Sequence, residues 1–458
     1  MKIVLIRPYY NCFIFSPALG LGYLSSVMKK YGAEVKIIDA LCFGLDNDKV
    51  IKLIKDESPD LVGISCTSYF YHETIDLSKK LKNEGLKVFI GGLHPSFLPY
   101  STLKDSEADF IMCGEGENAS AELVKNNLNY KGIQGLYSID DLKSDNDEIL
   151  FAKQEENLDK IPWPDWEQLC LNSLPQAPHG VVAKAFPIAT IMTSRGCPYC
   201  CTFCASASFY GKRVRFRSVD DILDEAEYLK TQFSVKEIQI IDDNLALNKE
   251  FLLEFCQKYI DRKIKLPWSC PNGLRADKLD EDICNMLKKA GCYYVAVGIE
   301  TGDSEILKSI KKSETLEDIE RGINCLHKAG IIIQGNFILG HHGETRKSIQ
   351  NTIDFIFRLP IDRLSVEILE LLPGSELWKK LYGSFIPNFT ATSAKVPNIE
   401  NEEISKEELC EILKKINFRF YSRPQKLFQL LRFLKPKQIG YIYKRMRDYG
   451  LLNFFSRK

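Results

Sequence analysis

The sequence predicts an α/β protein with a doubly wound, Rossmann-like parallel sheet, then a partial (β/α)6 barrel, then a helical C-terminal tail. Short Val- and Ile-rich runs alternate with amphipathic helical patterns, which indicates buried parallel strands joined by right-handed crossovers. At 458 residues the chain is too long for one compact core. The alternation stops and later resumes, so we expect units at residues 1–135, 136–186, 187–404 and 405–458, the second being a linker.

The first unit contains five predicted strands separated by helices. The strands are predicted at "KIVLIRP", "EVKIIDA", "LVGISCTS", "KVFIGGLH" and "ADFIMCGEG", and the helices at "GLGYLSSVMKKYG", "DNDKVIKLIKDES" and "HETIDLSKKLKNEG". In such a sheet the ligand lies beyond the carboxyl ends of the strands. Gly20 and Gly22 are followed by Ser25 where a dinucleotide fingerprint requires a third glycine, so a nicotinamide or flavin site is not favoured.

The predicted linker is polar and punctuated by proline, as in "IPWPDW". We expect it to lie over a surface of the protein. Packing of the linker explains Trp163 and Trp166 most simply, and stacking on a substrate is the alternative.

The second unit begins at Pro187 and contains six strand-helix units. Its strands are predicted at "IATIMTS", "EIQIIDDN", "WSCPNGLRAD", "YYVAVGIETG", "IIIQGNFILG" and "RLSVEILELLPG". Six units are too few to close an eight-unit barrel, so an open, partial barrel follows, with its active site at the carboxyl ends of the strands.

Composition narrows the function classes. Sixty-one basic residues balance 61 acidic ones, which argues against a protein built to bind nucleic acid. A signal sequence and a membrane-spanning run are not recognisable, so we expect a cytoplasmic protein whose 15 cysteines are reduced. Two interpretations of the basic region 405–458 stay open: packing on the barrel, or peripheral contact with a membrane.

Four cysteines lie within eight residues in "CPYCCTFC", positions 197 to 204. Three interpretations compete. A zinc site normally takes two separated cysteine pairs, whereas these pairs abut. A redox pair normally belongs to a thioredoxin-type domain. An iron-sulfur cubane normally takes four thiolates, and one tight loop presents about three, which leaves one iron open to a small chelating molecule.

This loop resembles the CxxxCxxC signature of radical S-adenosylmethionine (radical SAM) enzymes. The resemblance implies a [4Fe-4S] cluster bound by Cys197, Cys201 and Cys204, with Cys200 as an extra thiol. Strand-end motifs continue the resemblance through the barrel, although His342 replaces a common proline in "FILGHHGET". The S-adenosylmethionine contacts that it implies are Phe203, Asp242, Asp243, Asn244, Arg275, Glu300 and Gly340.

The first unit resembles the cobalamin (B12)-binding domain of the B12-dependent radical SAM branch. The histidine of the Asp-x-His-x-x-Gly motif is absent, since Leu41 stands in its place in "DALCFG", so base-off cobalamin without a histidine ligand is expected. His94 has an alternative role as a turn residue before Pro95. The implied cobalamin contacts are Ser65, Thr67, Ser68, Gly91, Gly92, His94, Gly114, Glu115, Gly116 and Glu117.

The resemblance implies an enzyme that cleaves S-adenosylmethionine reductively to a 5'-deoxyadenosyl radical. Methyl transfer from methylcobalamin to an unactivated carbon or phosphorus of a lipid or natural-product intermediate is the expected reaction. Cyclisation, oxidation or carbon-carbon formation with the same cofactors is an alternative, and a non-catalytic zinc- or cobalamin-binding protein is another. The implied partners are a small-molecule or lipid substrate and a reductant such as flavodoxin or ferredoxin.

Overall fold

A computed structural model describes residues 1–10, 12, 15–174, 183–381, 403–426, 439, 440 and 443. Most of the predicted basic tail beyond residue 426 therefore lies outside the described residues. Among the residues described, no helix has the length and apolar character needed to span a bilayer.

The N-terminal half is built on one six-stranded sheet with strand order β2-β1-β3-β4-β5-β6. All neighbours are parallel except the last pair. Its strands are β1 (Lys2–Arg7), β2 (Glu34–Asp39), β3 (Leu61–Ser65), β4 (Val88–Gly91), β5 (Phe110–Met112) and β6 (Leu136–Tyr137). Its helices are α1 (Leu19–Lys30), α2 (Ala40–Phe43), α3 (Asn47–Glu57), α4 (Tyr71–Asn83), α5 (Leu93–Phe97), α6 (Pro99–Ser106) and α7 (Gly116–Lys125).

The second sheet has the order β7-β10-β11-β12-β13-β14, all parallel, and a two-stranded ribbon pairs β8 with β9. The strands are β7 (Ile188–Ile191), β8 (Ser194–Arg195), β9 (Arg215–Phe216), β10 (Glu237–Ile240), β11 (Trp268–Leu274), β12 (Cys292–Glu300), β13 (Ile332–Leu339) and β14 (Arg363–Ile368). The helices are α8 (Ser206–Tyr210), α9 (Val219–Gln232), α10 (Lys249–Asp261), α11 (Glu281–Lys289), α12 (Ser304–Ser309), α13 (Leu316–Lys328), α14 (Arg346–Arg358), α15 (Glu376–Leu381) and α16 (Lys406–Tyr421).

The predicted fold class is confirmed: a doubly wound sheet precedes an open six-stranded barrel. Ten elements were not predicted: the helices α2, α5, α6, α7, α8, α12 and α15, the ribbon strands β8 and β9, and the short strand β6 within the expected linker. These elements are short or polar, so the periodic apolar pattern that identifies longer elements is weak in them.

Local chemistry sets where the barrel helices begin. Each of five begins after a side chain whose oxygen accepts a backbone N–H of the first turn, which satisfies a donor that the helix itself leaves free. These capping residues are Ser218, Asn248, Asp280, Thr315 and Thr345.

The outer barrel strand β14 is protected by the C-terminal helix. The Tyr421 hydroxyl of α16 accepts the Leu364 N–H at 3.1 Å and donates to the Leu364 carbonyl at 2.8 Å. This side chain satisfies backbone groups that an edge strand otherwise leaves open to other chains.

Residues 163–168, called the strap below, join the two halves. The indole N–H groups of Trp163 and Trp166 donate to Asp221 and Glu225 of α9, both at 2.9 Å. Asp165 accepts the Ser25 hydroxyl of α1 at 2.6 Å and the Lys29 ammonium at the same distance. Side chains of the strap thus bind α9 and α1 in alternation. The two tryptophans therefore hold the strap against the protein.

The strap explains why α1 begins with glycines. A Cβ on Gly22 would lie 2.9 Å from both Pro164 and Leu169, and the Gly22 carbonyl accepts the Asp165 N–H at 3.0 Å. The Gly20 position, by contrast, has no atom within 4 Å of such a Cβ. The close approach of the strap therefore requires glycine at position 22 alone.

Gly22→Ala is expected to lower the melting temperature by about 2–6 °C, because overpacking a well-packed contact costs about 1–3 kcal/mol. Gly20→Ala, in the same helix, is the matched control and should leave the melting temperature unchanged or slightly higher. Thermal unfolding followed by circular dichroism measures both. Equal effects of the two substitutions would contradict the role given to the strap.

Candidate active site

The cysteine loop projects from the carboxyl end of β7 and is closed at its base by the β8–β9 ribbon. Ser194 pairs with Phe216 and Arg195 with Arg215. Gly196 has a φ of +111°, and a Cβ there would meet the Arg213 carbonyl oxygen at 2.5 Å. Glycine is therefore required for the chain to turn out of the ribbon into the loop.

The four cysteines differ in exposure. Cys200 is exposed, whereas Cys197, Cys201 and Cys204 are partly buried. Burial raises the pKa of the Cys197 and Cys201 thiols, and that of Cys204 to about 12. The three partly buried thiols are thus protonated at neutral pH until a positive centre compensates their charge.

Backbone hydrogen bonds fix this loop to the barrel. The Thr202 N–H donates to the Ile310 carbonyl at 3.0 Å, and the Thr202 carbonyl accepts the Leu377 N–H at 2.8 Å. Among the described residues no three His, Cys, Asp or Glu side chains are grouped to hold a single metal ion. Each cysteine of a cubane binds a different iron, so its ligands need not converge on one point.

Arg275 supports the loop from beneath. Its guanidinium lies 3.6 Å from the centre of the Tyr199 ring, within the cysteine loop. It also donates to the Lys312 carbonyl at 2.6 Å and to the Ser313 carbonyl at 2.9 Å. Arg275 thereby links the end of β11, the cysteine loop and the segment after α12.

Lys312 is a buried cation that the sequence analysis did not single out. Its ammonium lies 2.8 Å from Glu300 and 3.7 Å from Glu314. Although burial disfavours the charge, these carboxylates raise the pKa of Lys312, and the Cys201 sulfur is close enough to contribute. In the sequence Lys312 ends "LKSIKK" and resembles a solvated helix end, so no local signal marks it.

The three polar residues after β10 differ in environment and contacts. Asp242 is buried and accepts the Thr193 N–H and the Ser194 hydroxyl, both at 2.6 Å, so it anchors the start of the cysteine loop. Asp243 is exposed and accepts the Ser206 hydroxyl. Asn244 is buried, and its side-chain N–H group has no hydrogen-bond partner.

The strand-end turn after β13 also reaches the loop. Glu344 accepts the N–H of Gly340 at 2.5 Å and that of His341 at 3.2 Å. The His341 ring lies 5.9 Å from Phe203, centre to centre, and burial lowers the pKa of His341 to about 4. His342, at the position of the common proline, is exposed.

The carboxyl ends of the N-terminal strands form a partly exposed surface. Ser65, Thr67, Gly91 and Gly92 are partly exposed there. Three large side chains that the sequence analysis did not select lie after β1, β3 and β4, with exposed fractions of 43% for Tyr9, 38% for Tyr69 and 42% for Leu93. Exposed apolar groups at this edge mark a binding surface.

His94 and Ser68 lie beneath this surface. His94 is 1% exposed, its ring packs on Tyr71, and its Nδ1 is 2.9 Å from the Ser68 hydroxyl. Burial lowers the pKa of His94 to about 3, so the ring is neutral. This placement matches the turn histidine that was the alternative interpretation.

The segment Gly114–Glu117 contacts the barrel rather than open space. Arg195 donates to Glu115 at 2.6 Å and to Glu117 at 2.7 Å, and Arg215 donates to Glu115. All four side chains are buried. Burial opposes ionisation, but Arg195 outweighs it and lowers the pKa of Glu117. We call these four residues the ion cluster.

The strand ends of both halves face each other. Partial burial and the neighbouring Glu370 carboxylate, just after β14, raise the pKa of Tyr69. The Phe97 ring covers Gly374, where a Cβ would lie 2.5 Å from it, and Leu98 shares an apolar cluster with Leu371. A ligand bound beyond the N-terminal strands would therefore lie above the barrel mouth.

Two family models match the chain. The model of the radical SAM superfamily covers residues 191–356, and the model of the B12 binding domain covers residues 15–124. The first range contains the cysteine loop, and the second contains the exposed strand ends after β3 and β4.

Similar proteins cover both halves. An uncharacterized methyltransferase of Pyrococcus horikoshii is 31% identical over 94% of this chain and 94% of its own. The cytidylyl-2-hydroxyethylphosphonate methyltransferase of Streptomyces wedmorensis is 28% identical over 83% of this chain and 81% of its own. A solved structure of the radical SAM methyltransferase TsrM of Kitasatospora setae has cobalamin and a [4Fe-4S] cluster bound. It matches with a TM-score of 0.69 and 18% identity, over 96% of this chain and 92% of its own.

Arg195→Met is expected to destabilise the protein by about 3–5 kcal/mol, because it leaves Glu115 and Glu117 buried with one cation fewer. The matched control is Arg213→Met, two positions before β9. Its ion pair with Glu156 is exposed, so the loss of that pair should change stability by at most about 1 kcal/mol. Urea unfolding followed by tryptophan fluorescence compares the two. Similar unfolding midpoints would show that the ion cluster does not hold the halves together.

Proposed function

The chain belongs to the radical SAM superfamily and carries a B12 binding domain before its barrel, and on this premise we propose that it is a B12-dependent radical methyltransferase. The observation that carries the proposal is that Arg195, two positions before the cysteine loop, is bonded to Glu115 and Glu117, which follow strand β5 of the B12 domain. When bound, the reduced [4Fe-4S] cluster supplies the electron that cleaves S-adenosylmethionine to a 5'-deoxyadenosyl radical, and cobalamin supplies the methyl group.

We assign the cluster to Cys197, Cys201 and Cys204. They share one loop, they are partly buried, and the fourth cysteine of the loop points to solvent. The chemistry of the donors fits iron, since thiolates are its usual ligands in such clusters. Burial raises the pKa of the Cys197 and Cys201 thiols overall, and the positive charges of Arg275 and Lys312 offset part of that rise.

Four further residues are proposed to hold S-adenosylmethionine beside the cluster. Lys312 offers a buried cation for its carboxylate, and Glu300 and Asp243 offer carboxylates for its ammonium and sulfonium charges. Asn244 has a buried N–H group without a partner, which fits an acceptor on the same molecule. Arg275, Asp242, Phe203 and Gly340 act as supports of the loop and its neighbours rather than as direct contacts.

We place cobalamin on the surface formed by Ser65, Thr67, Gly91 and Gly92. The apolar side chains of Tyr9, Tyr69 and Leu93 enlarge it and suit a broad macrocycle. Because His94 is buried and hydrogen-bonded to Ser68, it is not positioned as an axial ligand. Binding without a histidine ligand is therefore proposed, in the base-off form that the resemblance implies. Gly114 to Glu117 shape the rim through the ion cluster.

The substrate is proposed to be a small molecule or lipid with an unactivated carbon or phosphorus as methyl acceptor. A one-electron reductant such as flavodoxin or ferredoxin would supply the cluster. Radical cyclisation or oxidation with the same cofactors is the second candidate, because both cofactor surfaces serve it equally well.

Cys201→Ala is expected to reduce bound iron to below about a tenth of the wild-type content and to abolish 5'-deoxyadenosine formation, since a two-thiolate loop does not retain the cluster. Cys200→Ala is the matched control in the adjacent position and should retain both. Iron analysis, electron paramagnetic resonance and product chromatography after anaerobic reconstitution measure these outcomes. The reverse result would overturn the ligand assignment, and stoichiometric zinc without a reducible cluster would overturn the enzyme.

S-adenosylmethionine with a deuterated methyl group separates the two candidate reactions. With substrate present, the methyltransferase is expected to yield deoxyadenosine together with a product heavier by the labelled methyl group. Mass spectrometry of the product measures the label. Deoxyadenosine accompanied by an altered product without label would favour cyclisation or oxidation.

A further inference from the structure

Each of the six barrel strands contributes one polar side chain to a layer within the barrel. Register places Thr190 beside Gln239, Gln239 beside Ser269, and Gln334 beside Arg363. Tyr294, paired with Ser269, closes the layer by donating its hydroxyl proton to Gln334 at 2.8 Å. We call this layer the polar ring; its members are Thr190, Gln239, Ser269, Tyr294, Gln334 and Arg363.

Strand alternation shows that the polar ring faces the barrel interior. Trp268 packs edge-to-face on Phe255 of α10, with centroids 5.4 Å apart, so its neighbour Ser269 points away from the helices. Ile238 likewise belongs to the helix-facing core, which turns Gln239 inward. The inner layers of such barrels are usually filled by branched apolar residues, so a polar layer requires an explanation.

Several atoms of the polar ring lack hydrogen-bond partners. These are the hydroxyls of Thr190 and Ser269, the Gln239 side-chain carbonyl, and the Nε and Nη1 atoms of Arg363. Thr190 and Gln239 are at most 1% exposed, while Arg363 is partly exposed. Burial of unpaired polar atoms is costly and marks a place where water or a ligand completes the hydrogen bonds.

The acidic side chain nearest to the polar ring along β10 is already bonded elsewhere. Glu237 accepts the Tyr293 hydroxyl at 2.6 Å and the Lys184 N–H at 2.7 Å. Arg363 forms no ion pair within the described residues. The guanidinium therefore presents donors toward the barrel interior, and no carboxylate of the described residues pairs with it.

The polar ring lies below the barrel mouth. Asp242, just beyond the end of β10, is three positions after Gln239, which corresponds to about 10 Å of extended chain. A molecule anchored on the ring thus needs a body of roughly that length to bring a reacting atom up to the cysteine loop.

We propose that the polar ring binds the anionic end of the substrate, with Arg363 pairing to a carboxylate, phosphate or phosphonate group. Thr190 donates a hydrogen bond, and the Gln239 carbonyl accepts one from a hydroxyl or amine of the same molecule or from a bridging water. The substrate is then an elongated organic anion. This assignment rests on the proposed function, since it takes the barrel to be the substrate chamber.

The test uses acetate and methylphosphonate, which carry the proposed anionic groups without the rest of a substrate. Each is added at up to about 0.1 M, with chloride holding the ionic strength constant. At least one of them is expected to raise the melting temperature of the full-length protein by about 2–4 °C, because a ligand that binds only the folded state stabilises it. Arg363→Met should lose this rise. Arg358→Met, an exposed arginine at the end of α14, is the matched control and should keep it.

Two results would overturn the proposal: no rise with either anion in the wild type, or the same rise in Arg363→Met. If Arg363→Met does not fold, Arg363→Lys replaces it in the test. Arg363→Lys should need about ten times more anion for the same rise in melting temperature, because lysine lacks the planar set of donors of a guanidinium. Iron content and substrate-free deoxyadenosine formation should be unchanged in these variants. Failure of those two readouts in the wild type would count against the proposed function, whereas loss of the anion effect alone would count against the polar ring.

Discussion

The ion cluster between Arg195, Arg215, Glu115 and Glu117 is the interaction on which the geometry of the site depends. Arg195 is two residues before the first cysteine of the loop, and the glutamates follow the last parallel strand of the N-terminal sheet. Two positive and two negative charges are buried together, so removing one leaves another uncompensated in an environment of low dielectric constant. The loop and the B12 domain are thereby held in one fixed relation.

A second buried group of charges fixes the position of the cysteine loop from the barrel side. Glu300, Lys312, Glu314 and Arg275 lie within a few ångströms of one another and of the cysteine loop. Because Arg275 is bonded to backbone carbonyls on one side and stacks on Tyr199 on the other, the loop rests on a rigid support. The pre-set arrangement spares a bound cofactor the cost of ordering these side chains.

The sequence predicted the fold class, the order of the long elements and the cysteine loop, because apolar periodicity and cysteine spacing are local signals. It did not predict Lys312 or Tyr69, whose roles arise only when distant strand ends meet. It also could not predict that the carboxylates of Glu115 and Glu117 pair with arginines some 80 and 100 residues further along the chain, while their contact with a cofactor stays a prediction. Ion pairs between residues so far apart in the chain produce no periodic pattern from which the sequence could predict them. His94 illustrates the same limit, since its burial depends on Tyr71 packing against it.

The strap has a kinetic consequence. Its alternating side chains bind α9 through two indoles and α1 through Asp165, so tilting one half away from the other must break these contacts together with the ion cluster. An opening wide enough to release a corrinoid from the proposed surface is therefore expected to be a rare, cooperative event. The cofactor would have a long residence time and would remain through many turnovers, while smaller molecules exchange through the open side of the barrel.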